Sequence, residues 1–314
     1  HPNIPHTWYA NIFNSNHKPR PQKKVQDILQ YKMYKGIPTG TPIANEFNIT
    51  TILTNDTRQT GRYVYDEFRD VIICTTYEEK HGTSKVVVRP ISDNDYTQLA
   101  CWLQKTYDFL EINRKTISNV IRYVAYKNKY DSLKDHLSKN HEKHKVKSGS
   151  YPLLDTWLIN TTRCEDTALN RAISSCWLLQ AIYAAMEPGA RSEYCLILQG
   201  EQMAGKSVMF RALAGELEDG HSLYSEEIFD LENSKQFHRA TKGCWIYEFG
   251  EMSSLSKKDK EAVKKFLSSR SLQMDEKFIE NAIRFLRRIA WGATSNKSDD
   301  LFDDDTGNRR SLLV

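Results

Sequence analysis

An apolar segment that leads into a glycine-containing loop constrains the fold of this chain more than any other feature. Residues 194–198 read Tyr-Cys-Leu-Ile-Leu, and the loop from Gly200 to Ser207 has the pattern G-x-x-x-x-G-K-S before an apolar helical segment. A strand, a glycine loop and a helix in this order direct backbone N–H groups and a helix N-terminus at a phosphate. The segment therefore predicts a P-loop nucleotide-binding α/β core with a parallel sheet.

The loop also assigns roles to individual side chains. Lys206 is predicted to reach the β- and γ-phosphates, and the Ser207 hydroxyl is predicted to bind Mg²⁺. A nucleoside triphosphate and Mg²⁺ are therefore the expected cofactors. The predicted nucleotide-binding residues are Gly200, Glu201, Gln202, Met203, Ala204, Gly205, Lys206, Ser207 and Val208.

Two further apolar segments end in polar residues that suit the same chemistry. Residues 243–247 run into Glu248 and Glu251, either of which can bind Mg²⁺ or activate a water, and Glu248 is the favoured candidate. Residues 289–293 lead to Asn296, which can contact both the γ-phosphate and the attacking water. The alternative for each is an ordinary solvated carboxylate or turn residue. Their position after two apolar segments favours the functional interpretation.

The order of patterns along the chain predicts three regions. Residues 1–45 are predicted to form a linker or arm, and the chain opens at His1 without a Met, as a fragment of a longer protein would. Residues 46–150 are predicted to form a small α+β domain, with short strands at 62–65, 71–74 and 85–88 followed by helices. Residues 151–314 are predicted to form the nucleotide-binding core.

Composition excludes several classes of protein. The net charge of +4 is too small to identify a nucleic-acid-binding protein, although residues 127–147 alone hold seven Lys and three acidic residues. The six Cys are scattered without a C-x-x-C pair, which favours buried free thiols over a disulfide framework or a zinc site. No apolar segment is long enough to cross a membrane, so a cytoplasmic protein is expected.

These motifs together resemble the virulence-associated protein E family of phage and mobile-element proteins, which belongs with the superfamily 3 helicases among the AAA+ ATPases. The resemblance rests on the phosphate loop, on Trp177, on the Glu248-Phe249-Gly250-Glu251 segment and on Thr306-Gly307-Asn308-Arg309-Arg310. It is weaker over residues 45–130. The chain departs from the family at Met203, where members often have glycine, and at residues 274–278, where the usual Arg and Pro-Tyr elements are replaced.

The resemblance implies a ring, commonly a hexamer, with ATP bound at each subunit interface. Arg309 or Arg310 is then expected to act on the neighbouring subunit's nucleotide; the alternative is a pair that neutralises the acidic residues at 299–305. A hairpin between Ser271 and Arg288 is expected to hold single-stranded DNA in the ring channel. The candidates at this hairpin are Lys277, Phe278 and Arg284, with Arg287 and Arg288 as alternatives.

The activity implied by the resemblance is ATP-dependent DNA unwinding or translocation during replication of a phage or mobile element. Such a module is expected to be fused to, or to work with, a primase–polymerase. Two other classes remain open. A monomeric P-loop kinase of a small molecule would share the phosphate loop, and a nucleotide-gated DNA-binding scaffold would bind nucleotide with little turnover.

Overall fold

The computed structural model describes residues 25–80, 83–145, 151, 153–228, 233–250, 263, 267, 271–274, 283–296 and 310–314. The chain forms two compact units, the first ending at Asp131 and the second beginning at Ser132. This boundary lies before the one predicted at residue 150. The reason is that the helix beginning at Ser132 contacts the helix Ala168–Met186 of the second unit.

The first unit begins with a 3-10 turn, Val25–Ile28, and an antiparallel hairpin of β1 (Tyr31–Tyr34) and β2 (Ile37–Pro42). Leu29 is buried in the core of this unit, and Gln30 and Asn48 exchange two hydrogen bonds of 2.7 Å between main chain and side chain. The prediction of an arm up to residue 45 is therefore wrong for residues 25–45. Residues 1–24 lie outside the described residues.

A four-stranded sheet and three helices make up the rest of the first unit as far as its residues are described. In order across the sheet, the strands are β5 (Thr83–Pro90), β4 (Val71–Lys80), β3 (Tyr63–Asp66) and β6 (Lys129–Tyr130). All neighbouring strands are antiparallel except β3 and β6. The three apolar segments predicted at 62–65, 71–74 and 85–88 correspond to β3, β4 and β5, respectively. The elements are α1 (Glu46–Asn55), β3 (Tyr63–Asp66), β4 (Val71–Lys80), β5 (Thr83–Pro90), α2 (Asp93–Tyr107), α3 (Arg114–Lys127) and β6 (Lys129–Tyr130).

Helix α3 shows how the sequence builds the core of this unit. Asn113 caps the helix by accepting a hydrogen bond from the Lys115 amide at 2.8 Å. Ile117, Ile121 and Val124 recur at helical spacing and are all buried in the same cluster. The opposite face of α3 is left in solvent.

The second unit is built on a parallel five-stranded sheet. In order across the sheet, the strands are β13 (Ser311–Leu313), β7 (Cys195–Gln199), β12 (Ala290–Ser295), β9 (Ile246–Phe249) and β8 (Tyr224–Ser225). Strand β7, which precedes the phosphate loop, therefore lies between two strands that come later in the chain. The elements are α4 (Ser132–Lys143), α5 (Trp157–Thr162), α6 (Ala168–Met186), β7 (Cys195–Gln199), α7 (Lys206–Ala214), β8 (Tyr224–Ser225), α8 (Ser234–Thr241), β9 (Ile246–Phe249), β10 (Ser271–Met274), β11 (Ile283–Leu286), β12 (Ala290–Ser295) and β13 (Ser311–Leu313).

The central strands of this sheet are buried on both faces. All six residues of β12 and all four of β9 are buried, as are the first four of β7. This is the burial expected for parallel strands covered by helices, and it explains their continuous apolar runs. The expected mixed α/β fold with a parallel sheet is confirmed.

A glycine allows the helix after the phosphate loop to approach the sheet. A Cβ atom at Gly292 of β12 would lie 2.7 Å from two ring carbons of Phe210, which is on α7 and fully buried. Trp177 of α6 also contacts Phe210 and donates a 2.8 Å hydrogen bond to the Trp291 carbonyl. Helices α6 and α7 are thereby fixed against β12.

Strands β10 and β11 form an antiparallel hairpin, as expected between Ser271 and Arg288. Met274 pairs with Ile283 at the last described position before the tip. Residues 275–282, which include the candidates Lys277 and Phe278, lie outside the described residues.

The environments of the cysteines correct one expectation. Cys74, Cys195 and Cys244 are buried, but Cys101 and Cys176 are exposed. None of the helices that the structure describes combines the length and apolar character needed to cross a membrane.

Candidate functional site

The carboxyl ends of three neighbouring strands bring the predicted site residues together. In the parallel register, Ser295 of β12 pairs with Gln199 of β7, and Gly292 of β12 pairs with Glu248 of β9. The Gly200 amide donates a 3.2 Å hydrogen bond to the Ser295 carbonyl. The phosphate loop, Glu248 and Asn296 therefore lie at one edge of the sheet, where α/β proteins bind their ligands.

The loop has the backbone conformation that its sequence predicts. Gly205 is left-handed (φ 83°) at the N-cap of α7, where a side chain would strain the backbone. Met203 is also left-handed (φ 66°), and its side chain is 97% exposed. This chain therefore holds a methionine in a backbone conformation that favours glycine. Residues 201–205 are all exposed to solvent.

Lys206 connects the loop to the third strand. Its ammonium group donates to the carbonyl oxygens of Gly200 at 2.8 Å and Glu201 at 2.7 Å, and to Oδ1 of Asn296 at 3.0 Å. These three acceptors use the three N–H donors of a lysine. Asn296 thus lies beside Lys206, the predicted phosphate-binding cation.

Glu248 is held by hydroxyl groups from three different elements. Its Oε1 accepts from Ser207 at 2.7 Å and from Thr294 at 2.9 Å, and its Oε2 accepts from Tyr224 at 2.6 Å. The side chain is only 2% exposed. Three donors compensate the desolvation of this carboxylate and fix its orientation toward Ser207.

Tyr224 links Glu248 to a surface ion pair and was not anticipated from the sequence. Its hydroxyl lies 2.6 Å from Oε2 of Glu226 as well as from Glu248, and its ring packs 5.2 Å from the Arg211 guanidinium. Burial and the hydrogen bonds to both carboxylates raise the pKa of Tyr224, so the hydroxyl keeps its proton and donates it. One proton serves two carboxylates, so Tyr224 satisfies one of them at a time.

The donor set at Ser207 and Glu248 fits Mg²⁺. In the part of the chain that the structure describes, no three His, Cys, Asp or Glu side chains cluster as a metal site. Mg²⁺ bound with a nucleotide requires fewer protein ligands, because phosphate oxygens and water complete its shell. Ser207 and Glu248 offer two oxygen donors 2.7 Å apart, directly after the loop.

Arg310 lies at the amino ends of the parallel strands, opposite the carboxyl ends where the phosphate loop of its own chain lies. Ser311 pairs with Cys195, so Arg310 lies level with the start of β7, and the loop follows the end of that strand. At 3.3 Å per residue, the strand separates the two by about 16 Å. The Arg310 guanidinium is 3.7 Å from Glu193. Two other predicted catalytic residues, Arg309 and Glu251, lie outside the described residues.

The basic candidates for DNA contact fall in different environments. Arg284 lies in β11, paired with Gln273. Arg288, one of the alternatives, is 7% exposed and donates two hydrogen bonds to the Ala185 carbonyl near the C-terminus of α6. Burial lowers the pKa of Arg287 to about 10, and its guanidinium lies 5.3 Å from the Trp291 ring centroid. Arg288 is therefore buried in the second unit, and Arg287 is half-buried against Trp291.

Comparison with known protein families identifies the second unit. Residues 144–314, just over half of the chain, match the virulence-associated protein E-like domain. The chain belongs to this family. No curated protein matches the chain.

The VapE-like match includes every described candidate for nucleotide chemistry, and the first unit lies outside it. Two solved structures of the NrS-1 C-terminal region, both apo A forms, are 13% identical and each match 80% of this chain, with TM-scores of 0.41 and 0.42. The matched region covers 58% and 56% of those two chains.

Sequence reasoning missed two of the hydroxyls that hold Glu248. Thr294 lies in the third apolar segment, where only Asn296 was singled out. Tyr224 belongs to a two-residue strand that is too short to be recognised from its pattern. The alternation of strand and helix after the loop gives a partial signal, since a short strand is expected between α7 and β9.

Proposed function

We propose that this VapE-like chain is an ATP-dependent DNA helicase or translocase of the superfamily 3 type. It would act in replication of a phage or mobile element and hydrolyse ATP at the subunit interfaces of a ring. It would be fused to a primase–polymerase or work with one. The observation that carries the proposal is the contact between Lys206 and Asn296 beside the contact between Ser207 and Glu248.

The arrangement suits phosphoryl transfer because that reaction depends on positioning and on charge stabilisation. Lys206 would exchange its contacts with loop carbonyls for the more strongly attracting phosphate oxygens. Ser207 and Glu248 would hold Mg²⁺, which supplies positive charge next to the transferred phosphoryl group. Glu248 would also orient and deprotonate the attacking water, and Asn296 would contact the γ-phosphate and that water.

The position of Arg310 supports a site shared between subunits. An arginine about 16 Å along the sheet from its own loop does not reach its own nucleotide, whereas a neighbouring chain in a ring can present it to the next site. An arginine supplied in this way increases hydrolysis by roughly 10³–10⁵-fold. Arg309, which precedes it, is the alternative for the same role.

Mixing two inactive variants tests the proposal. Lys206→Ala removes the phosphate-binding cation, and a double variant, Arg309→Ala with Arg310→Ala, removes both candidate fingers. Each protein alone should hydrolyse almost no ATP. In mixed rings, an intact loop from the arginine variant can meet an intact arginine from the lysine variant, so part of the ATPase activity should return.

Two controls make the result decisive. Subunit exchange is first shown with differently labelled chains. Glu193→Gln then removes the partner of Arg310 within its own chain; it should leave ATPase largely intact if the arginine acts on a neighbour. With exchange established, a mixture that recovers no activity would contradict a shared site.

A monomer with intact turnover would favour the small-molecule kinase, and nucleotide binding without DNA-stimulated turnover would favour the scaffold.

A further inference from the structure

The first unit carries an open groove between α1 and α3. Its volume is about 490 Å³, and the residues that line it include Glu46, Phe47, Thr50, Asn119, Val120 and Tyr123. Phe47 and Tyr123 are each 50% exposed. Two half-exposed aromatic side chains in one groove leave ring surface accessible to a ligand.

Helix α3, which forms one wall of the groove, combines the Tyr123 ring with positive charge. Lys115, Asn119, Tyr123 and Lys127 recur at every fourth residue, so they form one row along the helix, and all four are exposed. At 1.5 Å per residue the row is about 18 Å long. The Lys127 ammonium lies 4.5 Å from the Tyr123 ring centroid. The row therefore has a cation at each end and an aromatic ring between them.

This combination distinguishes between classes of ligand. Cations spaced along α3 beside the groove match the regularly spaced phosphates of a nucleic-acid strand, and exposed rings match its unpaired bases. Among the described residues that line the groove, the charged side chain is that of Glu46, whose Oε1 accepts a 3.1 Å hydrogen bond from Asn119. The two lysines lie beside the groove on α3 and are not part of its lining. A double helix keeps its base faces stacked, so the rings have no partner there.

We propose that this groove binds single-stranded nucleic acid. Bases stack on Tyr123 and Phe47, and Lys115 and Lys127 contact the phosphates. The site lies outside residues 144–314, the range of the family match. The proposal shares its nucleic-acid partner with the proposed function but does not require ATP hydrolysis, so the two can fail separately.

Fluorescence anisotropy of a labelled oligothymidine with the full chain, without nucleotide, measures this binding. Tyr123→Ala and Phe47→Ala should each raise the Kd about five- to hundredfold, the range found for loss of one base–aromatic stack. Lys127→Ala should reduce the magnitude of the slope of log K against log salt by about 0.7. Unchanged melting temperatures would show that these half-exposed substitutions preserve the fold.

Tyr34→Ala is the matched control. Tyr34 is 66% exposed in the same unit and has the Lys35 ammonium 5.6 Å from its ring centroid, but it lies on the β1–β2 hairpin and does not line the groove. It should leave the Kd within about twofold of wild type, well below the loss of one stack. An equal loss in Tyr34→Ala and Tyr123→Ala would indicate a general surface effect and overturn the proposal.

Photo-crosslinking locates the strand independently of affinity. An oligonucleotide carrying 5-iododeoxyuridine should crosslink to peptides from residues 46–55 or 114–127 of the wild-type chain. Crosslinks that all fall elsewhere would overturn the proposal, as would an unchanged Kd in both aromatic variants. Duplex DNA of the same length should compete poorly, and equal competition by the duplex would also overturn it.

Discussion

Glu248→Gln separates the chemical role of this side chain from its structural role. The three hydrogen bonds to Glu248 come from Ser207, Thr294 and Tyr224. A glutamine can keep all three contacts, because its oxygen accepts from Ser207 and Thr294 while its NH₂ donates to the Tyr224 oxygen. The Tyr224 proton then goes to Glu226, which lies equally close at 2.6 Å.

The structure therefore predicts a large loss of turnover with little loss of stability. Removing a general base slows a reaction by about 10²–10⁴-fold, which corresponds to about 3–5 kcal/mol of transition-state free energy. The glutamine forms weaker, uncharged hydrogen bonds, but it also avoids burying a charge, so these two effects oppose each other. We expect the melting temperature to change by only a few degrees.

Glu248→Ala provides the matched control for folding. It leaves the Ser207 and Thr294 hydroxyls without this acceptor, whereas Tyr224 can still donate to Glu226. At about 1–3 kcal/mol for each buried unsatisfied group, it should lower the melting temperature much further. Phosphate release measures turnover, and titration with a fluorescent ATP analogue measures binding. The glutamine variant should bind nucleotide and release phosphate at least a hundredfold more slowly.

Two results would refute this reasoning. Normal turnover in Glu248→Gln would move the catalytic role to another acid, with Glu251 the first candidate. Loss of nucleotide binding in a folded Glu248→Gln protein would show that the carboxylate charge is required to hold the metal and nucleotide, and that water activation is not its main contribution.

The remaining predictions concern the two cores. Gly292→Ala places a methyl group against the Phe210 ring, so it should destabilise the second unit by about 1–3 kcal/mol in thermal unfolding, and Phe210→Leu in the same chain should recover part of that loss. Persistence of the wild-type melting temperature in Gly292→Ala would contradict the close approach of α7 to β12. In the first unit, burial alone would raise the pKa of Asp95, but hydrogen bonds from Arg89 and Ser92 outweigh it and lower the pKa to about 2. Asp95 therefore contributes about 2 kcal/mol above pH 4, and this contribution is lost as the pH falls from about 4 toward 2. Hydrogen exchange of α2 should accordingly be faster in Asp95→Asn than in wild type at neutral pH, and a difference that persists undiminished at pH 2 would contradict the assigned pKa.

Local sequence was sufficient to predict the phosphate loop. A loop of this kind depends on residues that are adjacent in the chain: an apolar strand, a glycine at the left-handed position 205, and a helix that begins at Lys206. The cap at Asn113 and the helical spacing in α3 were predictable for the same reason, since both involve residues within a few positions of each other. The alternation of strand and helix after the loop also predicted a parallel sheet.

Predictions that depended on distant contacts were less successful. Residues 25–45 follow the Pro-rich start of the chain and were included in the predicted arm, but Gln30 forms its hydrogen bonds with Asn48 and Leu29 is buried in the core of the first unit. Arg288 resembled an exposed basic residue, yet its hydrogen-bond acceptor is Ala185, about a hundred residues earlier. A periodicity in the sequence indicates which face of a segment is apolar. It does not indicate which residues contact that face or the polar residues at the ends of the segment.

The sequence by itself determined which segments are candidates for the chemistry, because the predicted phosphate loop and the acid and asparagine after two apolar strands are local patterns. Only the tertiary structure decided how those segments meet. Strand order places β12 between β7 and β9, and this brings Asn296 to Lys206 and Thr294 to Glu248. Tyr224 reaches Glu248 because its short strand pairs with β9 at the edge of the sheet. These contacts depend on the parallel register between strands that lie far apart in the chain, and no local pattern specifies that register.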